Sequence, residues 1–405
     1  MKVSRTVLTS LIILLLFNIV IFNTVTASPP AEEEFIKIDP EKVLEHVWKF
    51  SSFGPRITGY EGCLRAKDYI FSQIKDYFDK ILVIPFSVTV PYEYGSSVTF
   101  KGSNLFLQVK AYALAPNLVE TCYTAGATGE VVYVKSKYGD LRDFEGINVT
   151  NKIVVLDFNS KDAWRWAVYL GAKGAIFILD RNAKYLYVED VIKRFWLPID
   201  FPRVAVFRED IEPVLELLRR GETGVLATLK IDMKMEVRTA YNIIAIKEGS
   251  SEELKDEIIA AITYYDSWSI VPSLNPGEDD ALSAAILIEV AKTLAARKPK
   301  RTLLVGFFAG HYQALAGVRD FIYRAIHNET LREILNKIRI SVEISASAHD
   351  YKVGIYDQGH FHVSVTADTP VMYSNRFIQL RTGWDQGKPS EFPGVWNLAQ
   401  RYTEI

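Results

Sequence analysis

The sequence predicts an α/β protein with a mostly parallel central sheet, helices on both faces of that sheet, and an inserted α+β domain. Three observations lead there. From residue 242, strand-like and helical runs alternate: strands 242–246 and 258–264, helix 280–296, strand 302–308, helix 313–326 and strand 338–344. Such alternation builds parallel strands covered on both sides. Between about Pro116 and Met233 the texture changes to short β-rich runs at 131–134, 153–156 and 175–178, with helical stretches at 163–170 and 210–219. Ahead of that module, 40–53 and 62–78 carry apolar residues at helical spacing, among them Ala66, Tyr69, Ile70, Ile74 and Phe78, and 81–90 reads as a strand.

At 405 residues with 49% hydrophobic and 24% charged positions, the chain has the composition of a globular protein large enough for two compact domains. A net charge of -2 and the lack of any Lys/Arg block exclude a nucleic-acid groove and a polybasic membrane surface. Small molecules, peptides or other proteins remain as partners. The chain opens with the cationic stretch Met1-Lys2-Val3-Ser4-Arg5, then an apolar run at 7–22, then Val25-Thr26-Ala27 before Ser28-Pro29-Pro30. That is the order of a secretory signal. The apolar run is close to bilayer-spanning length, so a single uncleaved membrane anchor is the alternative; in both cases the body is secreted or membrane-anchored and extracytoplasmic. Outside the cytoplasm Cys63 and Cys122 either form one disulfide or stay as two buried thiols. Asn148-Val149-Thr150 and Asn328-Glu329-Thr330 fit the glycosylation acceptor pattern.

Several short motifs follow one another in a fixed order. Between the first two helices lies the breaker-rich turn Phe53-Gly54-Pro55-Arg56-Ile57-Thr58-Gly59. Further on come Asn242-Ile243-Ile244-Ala245, Tyr264-Tyr265-Asp266-Ser267, Pro276-Gly277-Glu278-Asp279-Asp280 and Phe307-Phe308-Ala309-Gly310-His311-Tyr312, with Gly317 beyond them. This series, over residues 38 to about 347, resembles the zinc exopeptidases of peptidase family M28, aminopeptidases among them, and the β-rich insert resembles their protease-associated domain. The resemblance divides the chain into 1–27, signal peptide or anchor; 28–39, linker; 40–115, first part of a peptidase-like domain; 116–233, protease-associated domain; and 234–405, peptidase-like core, C-terminally incomplete if the closing strand and helix are missing.

The same resemblance implies where a pair of zinc ions would be held: at the C-terminal ends of neighbouring parallel strands, where an open α/β sheet presents its crevice. Position by position, this sequence departs from that pattern. Tyr264 stands at the first histidine ligand, two residues ahead of Asp266, which the resemblance makes a support of the site, and a phenol is a poor zinc ligand. Asp280 keeps the bridging carboxylate. His311 and Tyr312 replace two consecutive glutamates, the general base and a ligand, and Glu343 takes the place of an aspartate ligand. The family's last ligand is a distant histidine, and no histidine follows His362.

The resemblance, with these substitutions, leads to an expected non-catalytic aminopeptidase-like protein that binds peptide or protein partners and has no cofactor. The alternative is an active metallo-aminopeptidase using zinc with an unusual ligand set. Two further readings are open at His311: a single-metal site with Asp280 and Glu343, or a charged partner for those carboxylates, the second being the favoured one. His360 and His362 share one face of a strand-like stretch, which is a ligand-like spacing that more often arises by chance. Tyr264, Tyr265, Trp268 and Tyr312 read as core aromatics or as the lining of a pocket.

Overall fold

A computed structural model of the chain describes residues 38–181, 193–195, 197–274 and 278–346. The expected signal or anchor and the pair His360 and His362 lie outside the described residues. Among the described residues no helix is long and apolar enough to cross a membrane.

Helix α1, Pro40–Ser51, starts where the Asp39 side chain accepts the Glu41 amide at 3.0 Å and Pro40 supplies a preset φ for the first turn. Helix α2, Glu61–Ile74, follows after the turn that carries the Phe53–Gly59 motif. Then come strands β1 (Lys80–Gly102), β2 (Leu105–Ala113), β3 (Thr124–Tyr133) and β4 (Ile153–Asp157), helix α3 (Ala163–Tyr169), strands β5 (Gly174–Leu179) and β6 (Arg203–Phe207), and helix α4 (Arg208–Arg219). The chain continues as β7 (Leu226–Lys247), β8 (Ile258–Tyr264), α5 (Glu278–Ala296), β9 (Thr302–Phe308), α6 (Ala316–His327), α7 (Glu329–Lys337) and β10 (Ile338–Glu343).

β1 and β7 are much longer than their sequence patterns suggest, at 23 and 22 residues, and they run antiparallel along almost their whole length, from Lys80↔Ile246 to Lys101↔Leu226. One end of this ribbon belongs to an open sheet in the order β1-β7-β9-β8-β10. At its other end β1 also pairs with β2, and β7 with β3, so that β1-β2-β6-β5-β4-β3-β7 closes into a ring of pairings. The sheet is therefore mixed rather than mostly parallel. Five pairings are parallel (β3–β4, β4–β5, β5–β6, β8–β9, β8–β10), and the antiparallel ones all involve β1, β2 or β7.

Burial follows this division. On the open sheet one core collects Val43, Phe50, Ile70, Ile74, Phe86, Ala284, Ile288 and Phe307 beneath α1, α2 and α5. A smaller core on the opposite face holds Ile244, Leu304 and Phe321, with Leu331 and Ile334 of α7 packed against it. The ring has a core of its own made by Val98, Phe100, Val109, Ile153, Ile176, Val204 and Leu229, which α4 joins through Ile211, Val214 and Leu215. That core takes in Val98 to Ala113, residues N-terminal to Pro116, because the outer half of β1 and all of β2 turn their alternate side chains into the ring. On the other face of β4 and β5, Trp164 and Ala167 of α3 pack with Phe158, Phe177, Trp268 and Ile270.

Of the two readings open for the cysteines the structure has the unpaired one, and the start of one expected helix is corrected. Cys63 and Cys122 are both free and buried; Cys63 sits in the core under α2, whereas the Cys122 sulfur accepts the Phe201 amide at 3.4 Å in a loop beside the ring. Helix α6 begins at Ala316 rather than Gln313, since Ala314 and Leu315 have φ of +55° and +59°, a left-handed conformation that interrupts a helix.

Candidate functional site

β8, β9 and β10 run parallel as neighbours, with Tyr264 opposite Phe308 and Glu343 opposite Ile262. Their C-terminal ends consequently lie along one edge, and the residues just past those ends form the crevice. Each of the positions singled out in the sequence except Asp280 reaches this edge by its place on a strand or immediately after one. Asp280 comes from the first turn of α5, and its carboxylate is held there by the Trp268 amide at 3.0 Å and the Tyr312 hydroxyl at 2.8 Å.

Beneath the edge Asp266 forms a polar junction. It is 2% exposed, and its Oδ2 accepts from the Thr58 hydroxyl at 2.7 Å and from the amides of Gly310 and His311 at 3.2 and 3.0 Å. Thr58 Oγ1 in turn accepts the Gly310 amide at 3.0 Å. The two amides can converge because Gly310 has φ of +82°, which turns the chain sharply after β9. Burial, and next the charge of Asp280, push the Asp266 carboxyl up to about 7, while the Thr58 hydroxyl and the His311 amide pull it back. Asp266 Oδ1 is buried without a hydrogen-bond partner.

Sequence reasoning gave Asp266 only a supporting part and did not connect it to the Phe53–Gly59 motif. In the fold that motif is the other half of the junction. Thr58 binds Asp266 directly, and the fully buried Arg56 shares reciprocal backbone and side-chain bonds with Ser267 while its guanidinium sits 5.5 Å from the Phe50 ring. The available signal was a threonine and an arginine within a breaker-rich turn, where local propensity gives no reason for either.

Above the junction the aromatic side chains form a ladder. Tyr264 stacks on His311 at 4.4 Å between centroids and 16° between planes; His311 meets Tyr312 at 4.6 Å, and Tyr312 stacks on Trp268 at 5.8 Å. The Arg194 guanidinium lies 5.2 Å from the Trp268 ring. Burial raises the Tyr264 phenol, helped by the Glu343 charge, and lowers the His311 imidazole. His311 therefore is not a charged partner of Asp280 and Glu343: its ring makes no hydrogen bond or ion pair among the described residues, and desolvation favours its neutral form. Glu343 ends the edge strand. Partial desolvation raises its carboxyl even though the residue as a whole is exposed.

The structure thus brings Tyr264, Asp266, Asp280, His311 and Tyr312 into one connected cluster, with Glu343 at its rim. It does not make a compact three-ligand set of Asp280, His311 and Glu343. Among the described residues the three-ligand group whose donor atoms all lie within 4.8 Å of one another is Glu120, Cys122 and Asp200, beside the ring.

Comparison with known proteins gives a consistent picture. The sequence model of Peptidase family M28 matches residues 242–348, which hold every one of these crevice residues. No curated protein sequence matches the chain. Among solved structures, a zinc aminopeptidase from Bacillus subtilis superposes with a TM-score of 0.53 at 18% identity, over 87% of this chain and 79% of that one. A Peptidase M28 precursor from Shewanella amazonensis matches at 20% identity over 76% and 74% of the two chains, with a TM-score of 0.46. An aminopeptidase from Aneurinibacillus sp. strain AM-1 matches at 22% identity over 76% and 70%, with a TM-score of 0.40. Residues 242–348 therefore carry a match to Peptidase family M28, within a fold similar to that of the Bacillus subtilis zinc aminopeptidase.

Proposed function

We propose that this chain is an exported aminopeptidase-like protein without peptidase activity, which uses the crevice at the ends of β8, β9 and β10 to bind a peptide or protein segment. The ring of strands from about Gly95 to Met233 is taken as its protease-associated-type insert. The observation that carries the reading is the bond from the Tyr312 hydroxyl to Asp280, at 2.8 Å. Where the resemblance puts a metal-binding carboxylate on one side and a metal ligand on the other, this chain has an acid and a phenol satisfying each other.

The donor set does not suit a zinc pair. Zinc takes neutral imidazole, thiolate or carboxylate. The crevice offers two phenols, one of them raised by burial, an imidazole stacked between them, and Asp280 engaged by Tyr312 and Trp268. No carboxylate stands at the general-base position either, since His311 occupies it. What the cluster offers a ligand is a row of half-buried aromatic faces with the Glu343 carboxylate beside them. Such a lining favours an extended peptide that brings an apolar or cationic side chain, or a free amino end, to the rings.

One observation favours the alternative of a metal-dependent peptidase: Asp266 Oδ1 is buried and unpaired, and the Asp280 charge acts on Asp266. A cation there would relieve both. The deciding experiment measures metal content of the purified protein by elemental mass spectrometry and turnover of a panel of amino-acid anilides with added zinc or cobalt. No stoichiometric metal and no turnover above background is the expected result. Turnover that a chelator abolishes and that Asp280→Ala removes overturns the proposal.

A further inference from the structure

We propose that Asn148 is an N-glycosylation site, an inference that rests on the extracytoplasmic location proposed above. The triplet Asn148-Val149-Thr150 lies in the connection between a short turn of helix, Leu141–Phe144, and β4. Its middle residue, Val149, is 1% exposed and belongs to the core on the outer face of β4 and β5, so Asn148 and Thr150 on either side are turned out to solvent. Asn148 Oδ1 accepts the Thr150 amide at 3.0 Å, and the Thr150 hydroxyl donates to the Leu170 carbonyl at 3.1 Å. The side-chain amide is thereby oriented by its oxygen, and its nitrogen has no hydrogen-bond partner among the described residues. A groove of about 450 Å³ adjoins it, lined in part by Leu141, Phe144, Ile147 and Leu170, which leaves room for a first sugar and offers its apolar face a surface to lie on.

The second triplet, Asn328-Glu329-Thr330, differs in one respect that matters. Asn328 caps α7, accepting the Leu331 amide at 3.0 Å, so the triplet is wound into the first turn of a helix. It must unwind to become an extended acceptor, whereas the turn at Asn148 is already a loop held at its centre by a buried valine.

In the reaction, Asn148 Nδ2 forms a bond to the anomeric carbon of a polyprenyl-diphosphate-linked oligosaccharide. The anomeric carbon–oxygen bond breaks, the polyprenyl diphosphate departs with the bonding electrons, and one amide proton passes to a base of the transferase. The chain itself supplies only the acceptor.

The test expresses the full chain, with its own N-terminus, in a eukaryotic secretory host and maps glycopeptides in both the medium and the cell fraction. An internal control is Gly221→Asn, which creates an acceptor triplet at 221–223 in an exposed turn; Gly221 has φ of +80° and open space around its α-carbon, which asparagine tolerates. The expected result is a glycan on Asn148 that is lost in Asn148→Gln and Thr150→Ala and kept in Thr150→Ser. An empty Asn148 in a secreted chain whose control triplet is occupied overturns the proposal alone. A chain retained inside the cell with both triplets empty overturns the extracytoplasmic reading and the proposal with it.

Discussion

Two buried carboxylates, Asp266 on the floor of the crevice and Glu289 between the helices, have opposite fates. Glu289 on α5 is 6% exposed, yet it accepts from Lys292 at 2.7 Å and contacts His46 Nε2 at 2.9 Å, and His46 Nδ1 meets the Tyr69 hydroxyl at 2.6 Å. Asp266 is as well enclosed, but its partners are a hydroxyl and two amides. Burial works against the charge on both. At Glu289 the Lys292 and His46 bonds overcome it and the acid lies below its usual range; at Asp266 dipoles alone do not, and a second carboxylate nearby makes matters worse. A helix interface stores an ion pair there, while the crevice floor keeps an acid poised to change charge near neutrality.

The largest expected effect breaks the comparison at the crevice. Asp266→Ala leaves the Thr58 hydroxyl and the His311 amide without their acceptor, while the Gly310 amide keeps its bond to Thr58 Oγ1. Each of the two buried donors so orphaned costs about 1–3 kcal/mol, and relief of the unfavourable carboxylate returns part, for a net loss of about 3 kcal/mol. Chemical denaturation at neutral pH reads this as a shift in midpoint with an unchanged slope.

The pH dependence sharpens the contrast. Asp266 has a folded pKa of about 7, above its unfolded value, so its stabilising contribution is complete below about pH 4 and is lost as pH rises through 7. Glu289 has a lowered folded pKa, so its contribution is present above the unfolded value and is lost as pH falls through the folded one. Between pH 8 and 5 the wild-type chain should gain about 2–3 kcal/mol relative to Asp266→Asn. Equal slopes for the two proteins in that window would mean that Asp266 does not titrate there.

The smallest effect is at the helix interface. Glu289→Gln keeps the shape and can still accept from Lys292, so the loss at pH 7 should be about 1 kcal/mol, vanishing in acid where the wild-type acid is itself neutral. A double-mutant cycle with Lys292→Ala measures the coupling, which zero interaction energy would refute.

Much of this molecule was legible from local patterns. The expected 258–264 and 302–308 strands coincide with β8 and β9, and the helix expected at 280–296 is α5 less its first two residues. Period and flanking breakers suffice for elements of ordinary length. They were not followed far enough at β1 and β7: the outer halves do alternate, with Val98 and Phe100 or Ala227, Leu229, Ile231 and Met233 turned inward. Pro91 and the interleaved charged residues gave no local reason to join them to the inner halves, and pairing with each other and with β2 and β3 makes each one long strand. The order of motifs likewise put Tyr264, His311, Tyr312 and Glu343 at or just past the ends of strands, while Asp280 joins them from the first turn of α5.

By itself the sequence determined the α/β class, which residue types stand in the crevice and the two acceptor triplets, since these are matters of residue identity and spacing along the chain. Only the tertiary structure decided that β1 and β7 serve both the open sheet and the closed ring, that Thr58 binds Asp266 across more than two hundred residues, and that the His311 ring lies between those of Tyr264 and Tyr312, where burial lowers its pKa. Those outcomes depend on which groups exclude water from one another, and desolvation is a property of neighbours in space.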